Sequence, residues 1–548
     1  MKTPDDSATV ASVAPLRQII LIWAIASLLL CLSLRPYISH SLTWDEVDYI
    51  LAAQQGYYAN ANDLTSFTAS DFIRFVQSKY AGQPATLKHH YDETTDVFLL
   101  RHAHPPLLQY ALGLLGESRL KPGYEIAQRM VQFFAACLLI AAMLWGYLKI
   151  TDRPNPAGLL IVASGGLLVG FFLAHSLNCH LWIAISLPAT CVAVGQFITD
   201  PSYRRGLIAG GWIGLNYIGL QTGVFVAFWA VIAIGISILI PPSGMNWLRE
   251  MTWPQKLLFW VRQSLWMLAG FLFVLLVIYP GAIFRLSLLR VFAAYAYLIF
   301  KGSEYSDVQS RYLGYLQLSF PMLLLGLAGL VLILLKNRTP RWYIAMATAV
   351  IGFGYFISLM KFVLNITYLS PALILMVILG AAAISDLNRT KINIAIAAFI
   401  ALFTAYTVGS ATFPKQEISI THINELYNII GDKPVFIEGG NIVGYYNYAP
   451  IGQTTLITRD AGGKSLLRRN IRKLQYETLT DKDLAGSVVV LAMFNGLPPC
   501  QWEKNLPPAV EKIEIKDFGG RVYSFPPDFN SNTTSQPSKP DHSSRKPD

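Results

Sequence analysis

The chain has 548 residues, 53% of them hydrophobic and only 14% charged, against about 25% charged in an ordinary soluble domain. That balance excludes a set of soluble domains, and the apolar residues fall in blocks long enough to cross a bilayer, for which about 20 residues are needed per helix. The net charge of +10 comes largely from Lys and Arg in short connections flanking those blocks, which points to membrane orientation and lipid headgroups and away from nucleic acid. Cys31, Cys137, Cys179, Cys191 and Cys500 follow no disulfide or zinc spacing.

In chain order, the first apolar block, Gln18 to Leu34, follows Arg17 and carries no small-residue cleavage site, so it reads as a retained anchor. A polar segment from 35 to 124 follows, rich in His, Asp and Tyr, with the length and chemistry of a functional loop. Further apolar blocks run Ile126 to Leu148, Ala157 to Leu173, Leu181 to Ile198, Leu207 to Leu220, Val224 to Ile240, Leu265 to Ile278, Leu316 to Leu335, Tyr343 to Met360, Tyr368 to Ile384 and Ile392 to Val408. The pattern predicts an all-α polytopic membrane protein of about eleven spans over 18–410. Gly206, Gly210 and Gly214 form a small-residue row that predicts close helix packing.

Basic residues recur at every second connection: Lys149 and Arg153, Arg204 and Arg205, Arg249 and Lys256, Lys336 with Arg338 and Arg341, Arg389 with Lys391. The positive-inside rule assigns these to the cytoplasm together with residues 1–17. The 35–124 loop and everything after Val408 then face outward. Over 411–527 soluble patterns return: Val435 to Ile437, Val488 to Leu491 and Val522 to Phe525 read as strands, and Lys464 to Tyr476 as a basic helix, which predicts a small external α/β domain. Residues 528–548 have the composition of a disordered tail.

Two clusters carry chemistry. Trp44-Asp45-Glu46-Val47-Asp48-Tyr49 sets three carboxylates beside two aromatics directly after the first span. They read either as the solvated first turn of an interfacial helix, where acids offset the helix dipole, or as the source of a general base that removes the proton of an attacking alcohol. Arg101-His102-Ala103-His104-Pro105-Pro106 opens a short apolar stretch that Gly116 can close. It reads either as an incidental interfacial helix or as a phosphate site, with Arg101, His102 and His104 beside a helix start. His40, His89, His90, His102, His104, His175 and His180 lie on or near the outward side with Asp92, Glu93 and Asp96. The pool leaves room for a divalent metal, although no pair has a tight ligand spacing on a clear helix, and no cofactor is otherwise required.

Asp45-Glu46 after the first span and His104-Pro105-Pro106-Leu107 some sixty residues later resemble the pattern of the protein O-mannosyltransferase and aminoarabinose-transferase superfamily of GT-C-type membrane glycosyltransferases. His175-Ser176-Leu177-Asn178-Cys179-His180 resembles the short polar turn those proteins carry between two spans, and Tyr368-Leu369-Ser370-Pro371 their Tyr-Leu-x-Pro helix start. The resemblance covers about 15–410 and does not reach the C-terminal domain. It implies a multi-helix fold with an outward cavity, a sugar donor linked to a polyprenyl phosphate, and transfer with inversion. Asp45 becomes the expected base, with Glu46, His104 and Tyr368 near donor or acceptor. Asp48 stands where the aminoarabinose enzymes have an Arg, and Thr367 where many relatives have a basic residue before the Tyr. Phosphate binding is then open to Arg101, to Lys361 or to an Arg of the 285–311 connection.

A hydroxyl on a lipid, a glycan or a protein would serve as acceptor, and the sequence does not choose between them. The setting implied is a bacterial inner membrane, with the C-terminal domain periplasmic or extracellular. A transporter or flippase of lipid-linked sugars is the rival reading, but its ionisable residues and broken helices belong near the midplane, and these spans are almost free of charge apart from end positions such as Arg262. A receptor or scaffold presenting the C-terminal domain is the third reading, and it leaves the acidic and His-rich first loop without a role.

Overall fold

A computed structural model of the chain describes residues 16–38, 46, 49, 53, 56–62, 90–92, 97–99, 105–115, 125–242, 245, 248, 250–286, 288–289, 308–335, 338–359, 366–387, 389–411, 425–426, 428–438, 454–458, 472–475, 480–491, 509–515 and 521–530. Each apolar block lies on a helix of its own. Helix α1 is Leu16–Leu34, and α2, Gly56–Ala61, belongs to the first loop with an antiparallel pair, β1 His90–Asp92 and β2 Val97–Leu99. The short α3, Leu107–Gly113, precedes α4 Glu125–Ile150, α5 Pro156–Ala174, α6 His180–Thr199, α7 Tyr203–Gly219 and α8 Gly223–Leu239. Then come α9 Trp253–Ile278, α10 Gly281–Phe284, α11 Val308–Leu335, α12 Pro340–Leu359, α13 Ile366–Asp386 and α14 Thr390–Ser410. Among the described residues eight helices are long and apolar enough to cross a membrane, namely α1, α4, α5, α6, α9, α12, α13 and α14. Gly223–Leu239 and Ser319–Leu335 are shorter apolar helices.

Helix starts follow from local chemistry. The Asn155 side chain accepts the Gly158 N–H at 2.8 Å and Pro156 opens α5, while the Thr252 N–H donates to Gln255 Oε1 at 2.9 Å at the start of α9. Each satisfies an amide that a helix leaves without an internal partner. The centre of the bundle is α5, α6 and α13, apolar around their whole circumference, as buried helices must be. Helices α1, α9 and α14 keep wide apolar faces exposed, suited to acyl chains.

The row Gly206, Gly210 and Gly214 does what its spacing predicts. A Cβ at Gly210 would collide with the Met267 carbonyl, and one at Gly270 of α9 with the Leu207 carbonyl, so α7 and α9 meet backbone to backbone. At the basic ends of the helices, Asp386 Oδ1 accepts from Thr151 Oγ1 at 2.9 Å and from the N–H groups of Asp152 and Arg153 at 3.1 Å each. This ties the α4–α5 turn to the end of α13.

The C-terminal part holds β3 Val435–Glu438, β4 Thr454–Thr458, β5 Arg472–Gln475, a one-turn helix α15 Asp481–Leu484, β6 Val488–Leu491, β7 Glu511–Ile513 and β8 Arg521–Ser524. They form one sheet in the order β5-β4-β3-β6-β8-β7, with the first four strands parallel and β8 and β7 antiparallel. Val435 pairs with both Thr454 and Val488, and the run Val488, Val489, Val490 is fully buried, as a central strand covered on both faces should be. The three strands expected from the sequence are present. The basic helix expected over Lys464 to Tyr476 is corrected: 472–475 is an edge strand paired to β4, with Leu456 opposite Lys473, and 464–471 lies outside the described residues. Its closely spaced Arg and Lys suit a charged edge as well as a helix face.

Candidate active site

The ends of α1 and α5 and the starts of α4, α6 and α13 meet around the segment that follows the first span. Glu46, Tyr49 and Ala53 are helical and buried, and their spacing of three and four residues sets them on one face turned into the protein. Glu46 is 1% exposed, which overturns the reading of this acid as part of a solvated first turn. A single nitrogen of Arg129 on α4, Nη2, bridges its carboxylate, 3.2 Å from Oε2, to which it donates, and 3.2 Å from Oε1. The Leu177 N–H donates to Oε1 at 2.7 Å. Arg129 is 0% exposed and its Nη1 donates to the His175 carbonyl at 2.9 Å. A buried charge needs such a partner set: Nη2 holds the carboxylate and Nη1 the backbone of the polar turn, so neither ion is left uncompensated.

The polar turn 175–180 is the floor of this arrangement. Gln132 Nε2, one turn beyond Arg129, donates to the Leu173 carbonyl at 3.1 Å and to that of Asn178 at 2.8 Å. Asn178 Oδ1 accepts the His180 N–H at 2.8 Å and so starts α6, while the Tyr49 hydroxyl lies 3.2 Å from Cys179 Sγ. The His175 Nδ1–H donates to the Phe172 carbonyl at 2.9 Å, which leaves Nε2 as the basic nitrogen. Burial pushes the His175 pKa down to about 4, the Glu46 carboxylate and the Phe172 carbonyl opposing and the Arg129 cation assisting, so the ring is neutral at pH 7. Tyr37, just past α1, packs edge-on to His175 with centroids 6.3 Å apart, and Tyr368 of α13 packs against His180 at 4.3 Å.

The helix expected at the two prolines is present but shorter than expected: it runs Leu107–Gly113 after Pro105 and Pro106, ending at Gly113 where Gly116 was expected to close it. Leu108 and Leu112 are buried, and the Tyr110 hydroxyl donates to the Ile278 carbonyl at 2.7 Å. With seven residues it has little dipole, so charge for a phosphate must come from side chains.

Of the residues singled out from sequence, Glu46 and Tyr368 are brought to one end of the bundle with His175 and His180. Asp45, Asp48, Arg101, His102, His104 and Lys361 lie outside the described residues. Sequence reasoning missed Arg129. Its signal was a polar stripe, Gln128, Arg129 and Gln132, near the end of an otherwise apolar block, where an ionisable residue calls for a partner. Among the described residues no group of three or more His, Cys, Asp or Glu is placed to hold a metal ion.

No protein-family model matches the sequence, and no curated protein does. Among solved structures the chain is similar to ArnT from Cupriavidus metallidurans in the apo state, with a TM-score of 0.54 and 12% identity over 92% of this chain and 97% of that one. Weaker likenesses are to the arabinofuranosyltransferase AftD from Mycobacteria, with a TM-score of 0.45 and 14% identity over 94% of this chain and 40% of that one, and to the arabinosyltransferase EmbB from Mycobacterium smegmatis, with 0.40 and 12% over 73% and 38%. The protein is a polytopic membrane protein with a GT-C-type fold, the fold class that the sequence motifs imply.

Proposed function

We propose that the protein is an integral-membrane glycosyltransferase that moves a sugar from a polyprenyl-phosphate donor to a hydroxyl acceptor at the outward face, with inversion and with Asp45 as general base. The observation that carries this reading is the clamp of Glu46 by Arg129 and the Leu177 amide. It anchors the residue next to Asp45 against the polar turn, and a base must be held within hydrogen-bond reach of the proton it takes. The GT-C-type fold shared with ArnT supports the same reading.

In the reaction, the acceptor oxygen attacks the anomeric carbon as its proton passes to the Asp45 carboxylate. The new O–C bond forms while the bond from the anomeric carbon to the phosphate oxygen breaks, and the electron pair leaves with the polyprenyl phosphate. Arg101, His102, His104 and Lys361 are the proposed groups for the developing phosphate charge, which preorganised cations stabilise strongly. Asp48 and Tyr368 are assigned to the acceptor side. Glu46 acts as a positioning residue through its ion pair. The isoprenoid tail requires a groove between helices, which is why such a transfer calls for a membrane-embedded chain.

Asp45→Asn keeps the volume and removes proton acceptance. It should lower the transfer rate by about 10² to 10⁴ while donor binding changes far less, and Asp45→Glu should recover little, since a shift of about 1 Å costs on the order of 10²-fold. A folded Asp45→Asn protein that transfers sugar at near the normal rate would overturn the assignment.

A further inference from the structure

Arg262 is the charge that the reading of the spans leaves without a role. It lies on α9 nine residues after Trp253, about 14 Å along the helix axis, and is exposed. The residues one turn away on the same stripe are Leu258, Phe259, Leu265 and Trp266. Leu258 is 70% exposed and Leu265 58%, so this guanidinium stands on an exposed apolar stripe. Among the described residues no acid and no hydrogen-bond partner meets it, whereas nearby Arg205 is held by Asp200 at 3.2 Å.

The neighbouring helix supplies a second cation at the same level. Gly206 of α7 packs on Trp266, which sets the start of α7 beside the Arg262 turn. Tyr203 packs on Trp266 with ring centroids 5.9 Å apart. The Arg204 guanidinium lies 5.7 Å from the Tyr203 centroid, and its Nε donates to the Tyr203 hydroxyl at 2.9 Å. Arg204 and Arg262 therefore flank a half-exposed aromatic pair, with an apolar stripe running along α9. Aromatic rings of this kind sit at headgroup level, and basic pockets between helices recognise lipid phosphates.

We propose that the surface where α7 begins against α9 binds an anionic phospholipid, its phosphate between Arg204 and Arg262 and its acyl chains along Leu265 and the exposed apolar face of α9 beyond it. Charge complementarity and the acyl-facing stripe select this occupant, and the site is separate from the outward one carrying Glu46.

The test is native mass spectrometry of the full-length protein in detergent, titrated with dioleoyl phosphatidylglycerol and, in parallel, dioleoyl phosphatidylcholine. The unaltered protein should retain phosphatidylglycerol in preference. An Arg204→Ala/Arg262→Ala protein should lose roughly fivefold in affinity for each guanidinium, about 25-fold together, while Lys391→Ala, at the start of α14, should bind as the unaltered protein does. The single Arg262→Gln protein repeats the measurement with a smaller change. Equal retention of the two lipids, unchanged binding by the double variant, or an equal loss in Lys391→Ala would overturn the proposal. Displacement of the lipid by millimolar inorganic phosphate would overturn it as well, assigning the pair of guanidinium groups to a free anion.

Discussion

Glu46 and Arg129 are separated by 83 residues and almost wholly removed from water. Breaking such a pair from one side leaves an uncompensated buried charge, so Glu46→Ala or Arg129→Ala should each destabilise the protein by about 3–5 kcal/mol. Thermal unfolding in detergent would register this as a large fall in midpoint. A Glu46→Gln/Arg129→Met double variant should recover much of the loss, because both charges disappear together. His175 makes a separate prediction. Its pKa is depressed to about 4 in the folded protein against about 6.5 for a free imidazole, so the unfolded chain binds more protons between these values. Its contribution to stability is complete above about pH 6.5 and is lost as pH falls through 4. The unfolding midpoint should decline across that window on acidification, and His175→Gln should flatten the decline. The sequence announced three acids after the first span but could not say which is buried, because the answer depends on what α4 brings to the site. Arg129 escaped notice for the matching reason: its block is apolar enough to read as an ordinary span.

Among the elements, the α7–α9 contact is the most constrained. With backbone against backbone at Gly210 and Gly270, any larger side chain must separate the helices. Gly210→Val should destabilise by about 1–3 kcal/mol, the usual range for overpacking, and a cysteine pair introduced across the contact should cross-link less readily in that background. Gly235, with open space around its Cβ position, provides the control, and Gly235→Val should change little. Helix positions were legible because span length is fixed by the bilayer and caps such as Asn155 and Thr252 are local. The strand Arg472–Gln475 was not legible, because its parallel partner lies some 17 residues away and pairing of that kind leaves no trace in local periodicity.

For the whole molecule, the alternation of basic connections makes orientation testable. A single cysteine near Asp63 and another within 434–526 should both react with an impermeant thiol reagent from outside, while one near Arg204 should react only after the membrane is opened. Labelling of the first two from opposite sides would refute the odd number of crossings. The C-terminal sheet has a consequence of its own. Its two outermost strands are β5, which begins Arg472-Lys473, and β7, which begins Glu511-Lys512 with both residues exposed. Among the described residues each outermost strand is paired on one side, and an edge of that kind offers a row of amides and carbonyls to another chain. Copies anchored through α14 share a plane and collide far more often than copies dispersed in solution. Charged borders of this kind oppose the continuation of one copy's ladder into the next, so copies crowded in one plane are guarded against joining edge to edge.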